Sequence, residues 1–357
     1  MRVSPNRFPI IDAFKAIASQ LIVLHHLAAY GPISDTVQQI APSLITWLYD
    51  YARMAVQIFF VIGGYLAARS IFSGRNNTSS LTFNLFNRYL RLIIPFFFAL
   101  ILAITCAAIS RALADHEFIP DLPKLSQFLS HVFLLHGVLD FDSLLAGAWF
   151  IAVDFQLFLV MLCIAWLGGK AADSRKAILV IVTLTSTLSL FWFNRNPQYD
   201  DWALYFFGAY GMGAIAYWAS QRGHSTVWLW LNVLLATLAL FIDFRLRILI
   251  AVLVALILFA TNHVQIRQGF VLQKIIHYLG MISYSLFLVH FSVLMITNAI
   301  FSWLNITNFS WLNITNPASG IFFMLISWIG SLILANFFYR RIEKPATSLL
   351  KFGVKSH

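Results

Sequence analysis

Apolar residues fall in ten long blocks separated by shorter polar segments, at 10–29, 52–72, 92–113, 144–167, 177–193, 202–219, 227–242, 248–261, 276–301 and 319–339. The bilayer core is about 30 Å thick and a helix rises about 1.5 Å per residue, so some 20 apolar residues make one crossing. The pattern therefore predicts an all-α polytopic membrane protein of about ten transmembrane helices. The 248–261 block is short and 227–242 ends close to it, which makes that pair the least distinct.

Composition agrees with this picture. Of 357 residues 60% are hydrophobic and only 11% charged, with a mean hydropathy of +0.79. A soluble domain of that size needs far more charge to cover its surface. The first block runs into His25 and His26 rather than a small-residue cleavage site, so the mature chain is expected to begin near Met1. No Pro/Ser-rich linker or long charged tract interrupts the chain. One domain over 1–357 is expected, with a membrane core at about 10–345 and a short C-terminal tail.

A net charge of +10 raises the question of nucleic acid, but its distribution answers it. Seventeen of the 24 Lys and Arg lie in alternate segments: the N-terminus, 69–91, 170–176, Arg222, 267–274 and the C-terminal tail. The opposite segments hold only Arg111, Lys124, Arg195, Arg245 and Arg247. Cytoplasmic loops attract such an excess, which places both termini in the cytoplasm and requires an even number of spans. The expected setting is a lipid bilayer, with no nucleic-acid partner. Cys106 and Cys163 fall within spans and are expected as two free, buried thiols.

Two connecting segments stand out. The 113–144 segment carries Asp115, Glu117, Asp121, Asp140 and Asp142 against one Lys and is expected outside the membrane, as a solvated loop or a cover over an outward-facing site. The octapeptide FSWLNITN occurs at 301–308 and again at 309–316, too short a repeat for a solenoid, and is expected to lengthen an outer loop.

Charge inside a bilayer is costly, so intramembrane polar residues are functional candidates. At 100° per residue Asp12, Lys15, Ser19 and His26 share one face of the first helix, a stripe about 16 Å long from Lys15 to His26. One account of it is packing, with Asp12 and Lys15 as an i,i+3 ion pair. The other is chemistry: an imidazole titrates near neutral pH and serves as a general base beside a hydroxyl. His25 points about 100° away and is the lesser candidate; two adjacent His on different faces make no metal site, and none is expected. At the cytoplasmic entrance to the third block Arg88 and Arg91, spaced i,i+3, suit forked contacts to phosphate or anchor the helix to lipid head groups.

Taken together these residues resemble acyltransferase family 3, bacterial membrane enzymes typified by O-antigen and polysaccharide O-acetylases. Lys15 and His26 keep the family's spacing of a basic residue and a catalytic His, with Lys in place of Arg. FFVIGGYL at 59–66 is similar to the second-helix motif, with Gly63 where Ser is common. Arg88 and Arg91, followed by Pro95, match the pair associated with acyl-CoA. WFIAVDFQLF at 149–158 resembles a stretch that usually has two Glu and a Gln; here they are Asp154, Phe155 and Gln156. YSLFLVH at 284–290 and YRRIEKP at 339–345 resemble the late Tyr/His and Glu-x-Pro motifs.

The resemblance implies a membrane acyltransferase that moves an acyl group, most simply acetyl, from cytosolic acyl-CoA to a hydroxyl of a cell-surface or lipid-linked glycan in the bacterial inner membrane. His26 would take the acceptor's proton or carry the acyl group, Lys15 and Asp154 would orient the donor or stabilise charge, and Arg88 and Arg91 would hold CoA phosphates. No permanently bound cofactor is implied, acyl-CoA being the donor substrate. Some relatives carry an added esterase-like domain, for which this chain has no room, so it finishes the transfer itself or hands on to a separate glycan-assembly partner. The alternative class is a proton-coupled transporter or flippase of a glycan or lipid precursor, whose spans would show inverted repeats and broken helices. Cysteines introduced at Ser130 and Asn308 should label from outside intact cells and those at Ser174 and Ser356 should not; outside labelling at 356 would overturn the ten-span topology.

Overall fold

The structure, a computed structural model, describes residues 9–72, 81–114, 116–261, 271–306 and 317–353. Their regular elements are helices, with no strand among the described residues. In chain order the helices are α1 (Pro9–Ala29), α2 (Pro32–Gln38), α3 (Pro42–Tyr51), α4 (Val56–Phe72), α5 (Leu81–Leu113), α6 (Leu125–Val132) and α7 (Ala148–Gly168). Then follow α8 (Ser174–Phe191), α9 (Ala203–Ala219), α10 (Val227–Ile242), α11 (Leu246–Thr261), α12 (Val271–Ile306), α13 (Pro317–Phe338) and α14 (Lys344–Gly353). Each of the ten apolar blocks lies on a helix.

Seven helical stretches are long and apolar enough to cross a membrane: Pro9–Ala29, Pro42–Ile71, Leu81–Leu113, Ala148–Gly168, Ser174–Arg195, Val271–Asn305 and Pro317–Leu349. The helices α10 and α11 are apolar but only 16 residues each, and α9 has 17. Two long helices outrun their blocks. With 33 and 36 residues, α5 and α12 span roughly 50 Å, more than the bilayer core. Large side chains such as Phe241 (91% exposed) and Ile333 (66%) face outward, and only 22% of the apolar window of Pro317–Leu349 is buried. In water such a surface aggregates; in lipid it is solvated.

By contacts the backbone forms two compact units. The first comprises Met1–Lys15, Val56–Tyr89 and Phe150–Gly280; the second comprises Ala16–Ala55, Leu90–Trp149 and Met281–His357. At the centre of the first unit sits α9, with sixteen of seventeen residues buried. Glycine sets its approach to α4. A Cβ on Gly64 would collide with the carbonyl oxygen of Tyr210, and one on Gly213 with that of Val61. Small residues allow such backbone contact between membrane helices. The same contact brings Phe60 against Phe206, ring centroids 4.6 Å apart. The end of α8 is closed by guanidinium groups: Arg245 donates to Asn194 Oδ1 (2.8 Å) and Leu190 O (3.0 Å), and Arg247 to Asn194 O (2.8 Å). Terminal carbonyls that lack a helical partner are satisfied in this way.

In the second unit polar side chains pin α12 to its neighbours. Asn298 Oδ1 accepts from Ile33 N at 3.1 Å, Thr297 donates to Ser327 at 3.1 Å, and Tyr284 donates to the Leu92 carbonyl at 2.9 Å, within a turn of Pro95, which has no N–H to give to α5. Gln20 of α1 accepts from the indole of Trp328 of α13 at 2.8 Å.

Three expectations change. The first six residues of the repeat, 301–306, end α12 rather than forming a loop. Both thiols are free, but Cys163 is exposed and Cys106 half-buried, since each sits on an outward helix face. Ser130 is buried at 4% exposure, so Leu125, at 72%, is the better labelling position in its segment. Arg2, Arg7, Arg75, Asp115, Arg267, Asn308 and Ser356 lie outside the described residues, as does the second copy of the repeat.

The acidic 113–144 segment also holds a buried imidazole stack. His131 donates through Nδ1 to Gln127 O (2.8 Å) and accepts at Nε2 from Leu144 N (3.1 Å). His136 stacks on it, ring centroids 4.1 Å apart. Burial, with the neighbouring His131, drives the His136 pKa from 6.5 down to about 3. The unfolded chain therefore binds this proton first as pH falls, and the stabilisation present above pH 6.5 is lost progressively toward pH 3. At pH 5 the loss is up to about 2 kcal/mol. Detergent-solubilised His136→Phe, which keeps the stack, should show a smaller drop in melting temperature from pH 7.5 to 5 than wild type; equal drops would contradict this.

Candidate active site

An uninterrupted α1 carries Asp12, Lys15, Ser19 and His26, and the stripe is met by α12. His277 Nδ1 donates to Asp12 Oδ2 at 2.7 Å, and fourteen residues further along α1 His26 Nδ1 lies 2.6 Å from His290 Nε2. Gly280 permits the approach, because a Cβ there would overlap the Asp12 carbonyl. Asp12 thus has an imidazole of α12 as a hydrogen-bond partner. Lys15 is half-buried and Ser19 buried, its hydroxyl bonded back to Ala16 O at 3.0 Å.

The hydrogen bonds fix the tautomers of the histidine pair. His290 Nδ1 meets the Leu286 carbonyl at 3.0 Å, and a carbonyl oxygen can only accept, so His290 carries its proton on Nδ1. His290 Nε2 is then a lone pair. His26 must donate to it from Nδ1, which leaves the lone pair of His26 on Nε2. The two rings lie in nearly parallel planes, 2° apart, with His26 8% exposed and His290 1%. A proton taken up at His26 Nε2 can be answered by a shift from His26 Nδ1 to His290 Nε2, so the positive charge is shared by two imidazoles. One helical turn beyond His26, Tyr30 packs 5.8 Å from its ring and 6.0 Å from Phe118 of the acidic segment. His116, beside Phe118, is 2.8 Å from Ser302. His25 is turned elsewhere, to the Leu48 carbonyl of α3 at 3.2 Å.

In the first unit Arg88 of α5 and Asp154 of α7 form an ion pair at 2.5 Å. Arg88 also stacks over Phe158, 5.4 Å from the ring centroid. The structure thus brings together two residues to which sequence assigned separate roles, whereas Arg91, one turn along α5, is exposed. Gln156 donates to Asp201 O (3.1 Å) and accepts from Ala203 N (3.0 Å), which caps the start of α9. Among the described residues no three His, Cys, Asp or Glu converge on a point that would hold a metal ion.

Sequence reasoning gave no role to His290, although it lay in a quoted motif, nor any to Tyr210. For His290 the signal was present, an imidazole inside an apolar block. Tyr210 had none, because an aromatic residue within a span is ordinary filling.

A helical membrane protein with a buried, oriented imidazole is the setting for proton-transfer chemistry within the bilayer. The particular chemistry follows from comparison: the family model described as an acyltransferase domain matches residues 8–336. The chain belongs to acyltransferase family 3 and is a membrane acyltransferase. Comparison with curated proteins and with solved structures gives no match.

Proposed function

We propose that this acyltransferase moves an acetyl group from cytosolic acetyl-CoA to a hydroxyl of a cell-surface or lipid-linked glycan in the bacterial inner membrane, with both termini cytoplasmic. The observation that carries the reading is the lone pair left on His26 Nε2 by its hydrogen bond to His290. An acceptor hydroxyl gives its proton to that atom as its oxygen bonds to the acyl carbonyl carbon. The tetrahedral species then expels the CoA sulfur, which leaves as thiol with the same proton. His290 acts through His26, holding the ring and sharing its charge. Tyr30 and Phe118 support a sugar acceptor, since aromatic faces pack on the apolar face of a pyranose. Arg88 and Arg91 bind CoA phosphates, a task for forked, permanently charged groups. Lys15 and Asp154 place the donor and balance charge in a low dielectric.

Purified wild-type protein in detergent should transfer label from acetyl-CoA to acceptor glycan without an ion gradient. His26→Ala should lose about 10²–10⁴-fold in rate, as expected for a positioned base. His290→Ala should lose less, and His25→Ala very little. Full activity in His26→Ala, or transfer that requires a gradient, would replace the base with a transporter's proton relay.

A further inference from the structure

Arg88 is claimed twice. Its Nη2 holds Asp154 at 2.5 Å, and the reading above asks the same guanidinium to hold a donor phosphate. A carboxylate buried to 6% exposure cannot be left without a partner, because a buried polar group whose hydrogen bonds are unmade costs the full penalty of its desolvation. Some donor must take over whenever Arg88 turns to phosphate.

The first unit supplies one. Tyr210 of α9 is completely buried, and its hydroxyl has no hydrogen-bond partner among the described residues. It lies within electrostatic reach of both Asp154 and Arg88. The gap between them is kept by Gly63 of α4: the point where a side chain would begin there is 3.1 Å from Tyr210 Cε2 and 3.4 Å from Asp154 Oδ1. That carboxylate oxygen is not the one held by Arg88, which is Oδ2. The backbone at Tyr210 is held in place, since its carbonyl lies where the α4 and α9 backbones touch.

We propose that Tyr210 is a positioning residue for donor binding: its hydroxyl donates to Asp154 when a phosphate of the donor draws Arg88 away. No bond is made or broken in this exchange; one charge-assisted hydrogen bond replaces another. It rests on the reading of acyl-CoA as donor and adds to it the cause of an otherwise unexplained buried phenol. Loss of the hydroxyl weakens donor binding, because Asp154 would then be left bare, but costs the protein no existing hydrogen bond.

The test is a double-mutant cycle on acetyl-CoA affinity, measured by calorimetry with purified full-length protein in detergent. Tyr210→Phe should raise the dissociation constant about tenfold or more, the range for a hydrogen bond to a charged group, with melting temperature unchanged or higher. Paired with Asp154→Asn, which needs no charged-state donor, Tyr210→Phe should have little further effect. Wild-type affinity in Tyr210→Phe, or the same loss with and without Asp154, would overturn the exchange while leaving the donor reading intact. Absence of acetyl-CoA binding by the wild type would overturn both.

Discussion

The hydrogen bond from His26 to His290 depends on one backbone carbonyl, that of Leu286. Because that oxygen can only accept, it sets the tautomer of His290, which sets the tautomer of His26, which decides the atom at which a proton can be taken up. In water either nitrogen of a free imidazole can serve. Among apolar helices solvent offers no second partner, and the choice made at Leu286 passes intact through two rings. What distinguishes this site from a buried histidine of purely structural use is that the relay ends in a lone pair rather than in a closed contact. His131 shows the contrast: both of its ring nitrogens are spent on backbone groups.

The same scarcity of partners governs the charged pair in the first unit. Arg88 neutralises Asp154, a carboxylate too buried to sit alone. Such a pair is not a strong source of stability, since desolvation offsets most of its attraction, but either member becomes a liability once the other is removed. A phosphate that competes for the arginine therefore raises the question of what happens to the carboxylate, and the buried hydroxyl of Tyr210 is the group placed to answer it. Glycine keeps the arrangement in register. With a side chain at Gly64 the α4 and α9 backbones could not touch, and Tyr210 would sit elsewhere.

Much of the fold was legible in the sequence because bilayer thickness imposes a single length scale on apolar runs. All ten blocks lie on helices, including the short pair at α10 and α11. Among the missed elements, α2 and α3 form a partly polar stretch between two blocks where apolar length says little; Pro32 and Pro42 at their first turns were the local cue. In the candidate site the stripe on α1 was legible because a helix has a fixed angular period, and His25 and His26 do part as that period requires. Its partner was not. Periodicity orders residues around one helix but carries no information about which residue of another meets them, so His277 and His290 of α12 emerge only from the tertiary structure. The Arg88–Asp154 pair was hidden for the same reason, its members being 66 residues apart.

The protonation state of the two rings is the claim on which the account turns, and nitrogen NMR of isotope-labelled imidazoles in the membrane-embedded protein measures it directly. Signals that vanish in His26→Ala and in His290→Ala assign the pair. The account predicts that His26 and His290 each carry the proton on Nδ1, with His26 Nε2 bare and its Nδ1 proton coupled to His290 Nε2. A His26 ring protonated at Nε2 instead would leave no lone pair for an acceptor hydroxyl and would contradict the assignment of His26 as the base.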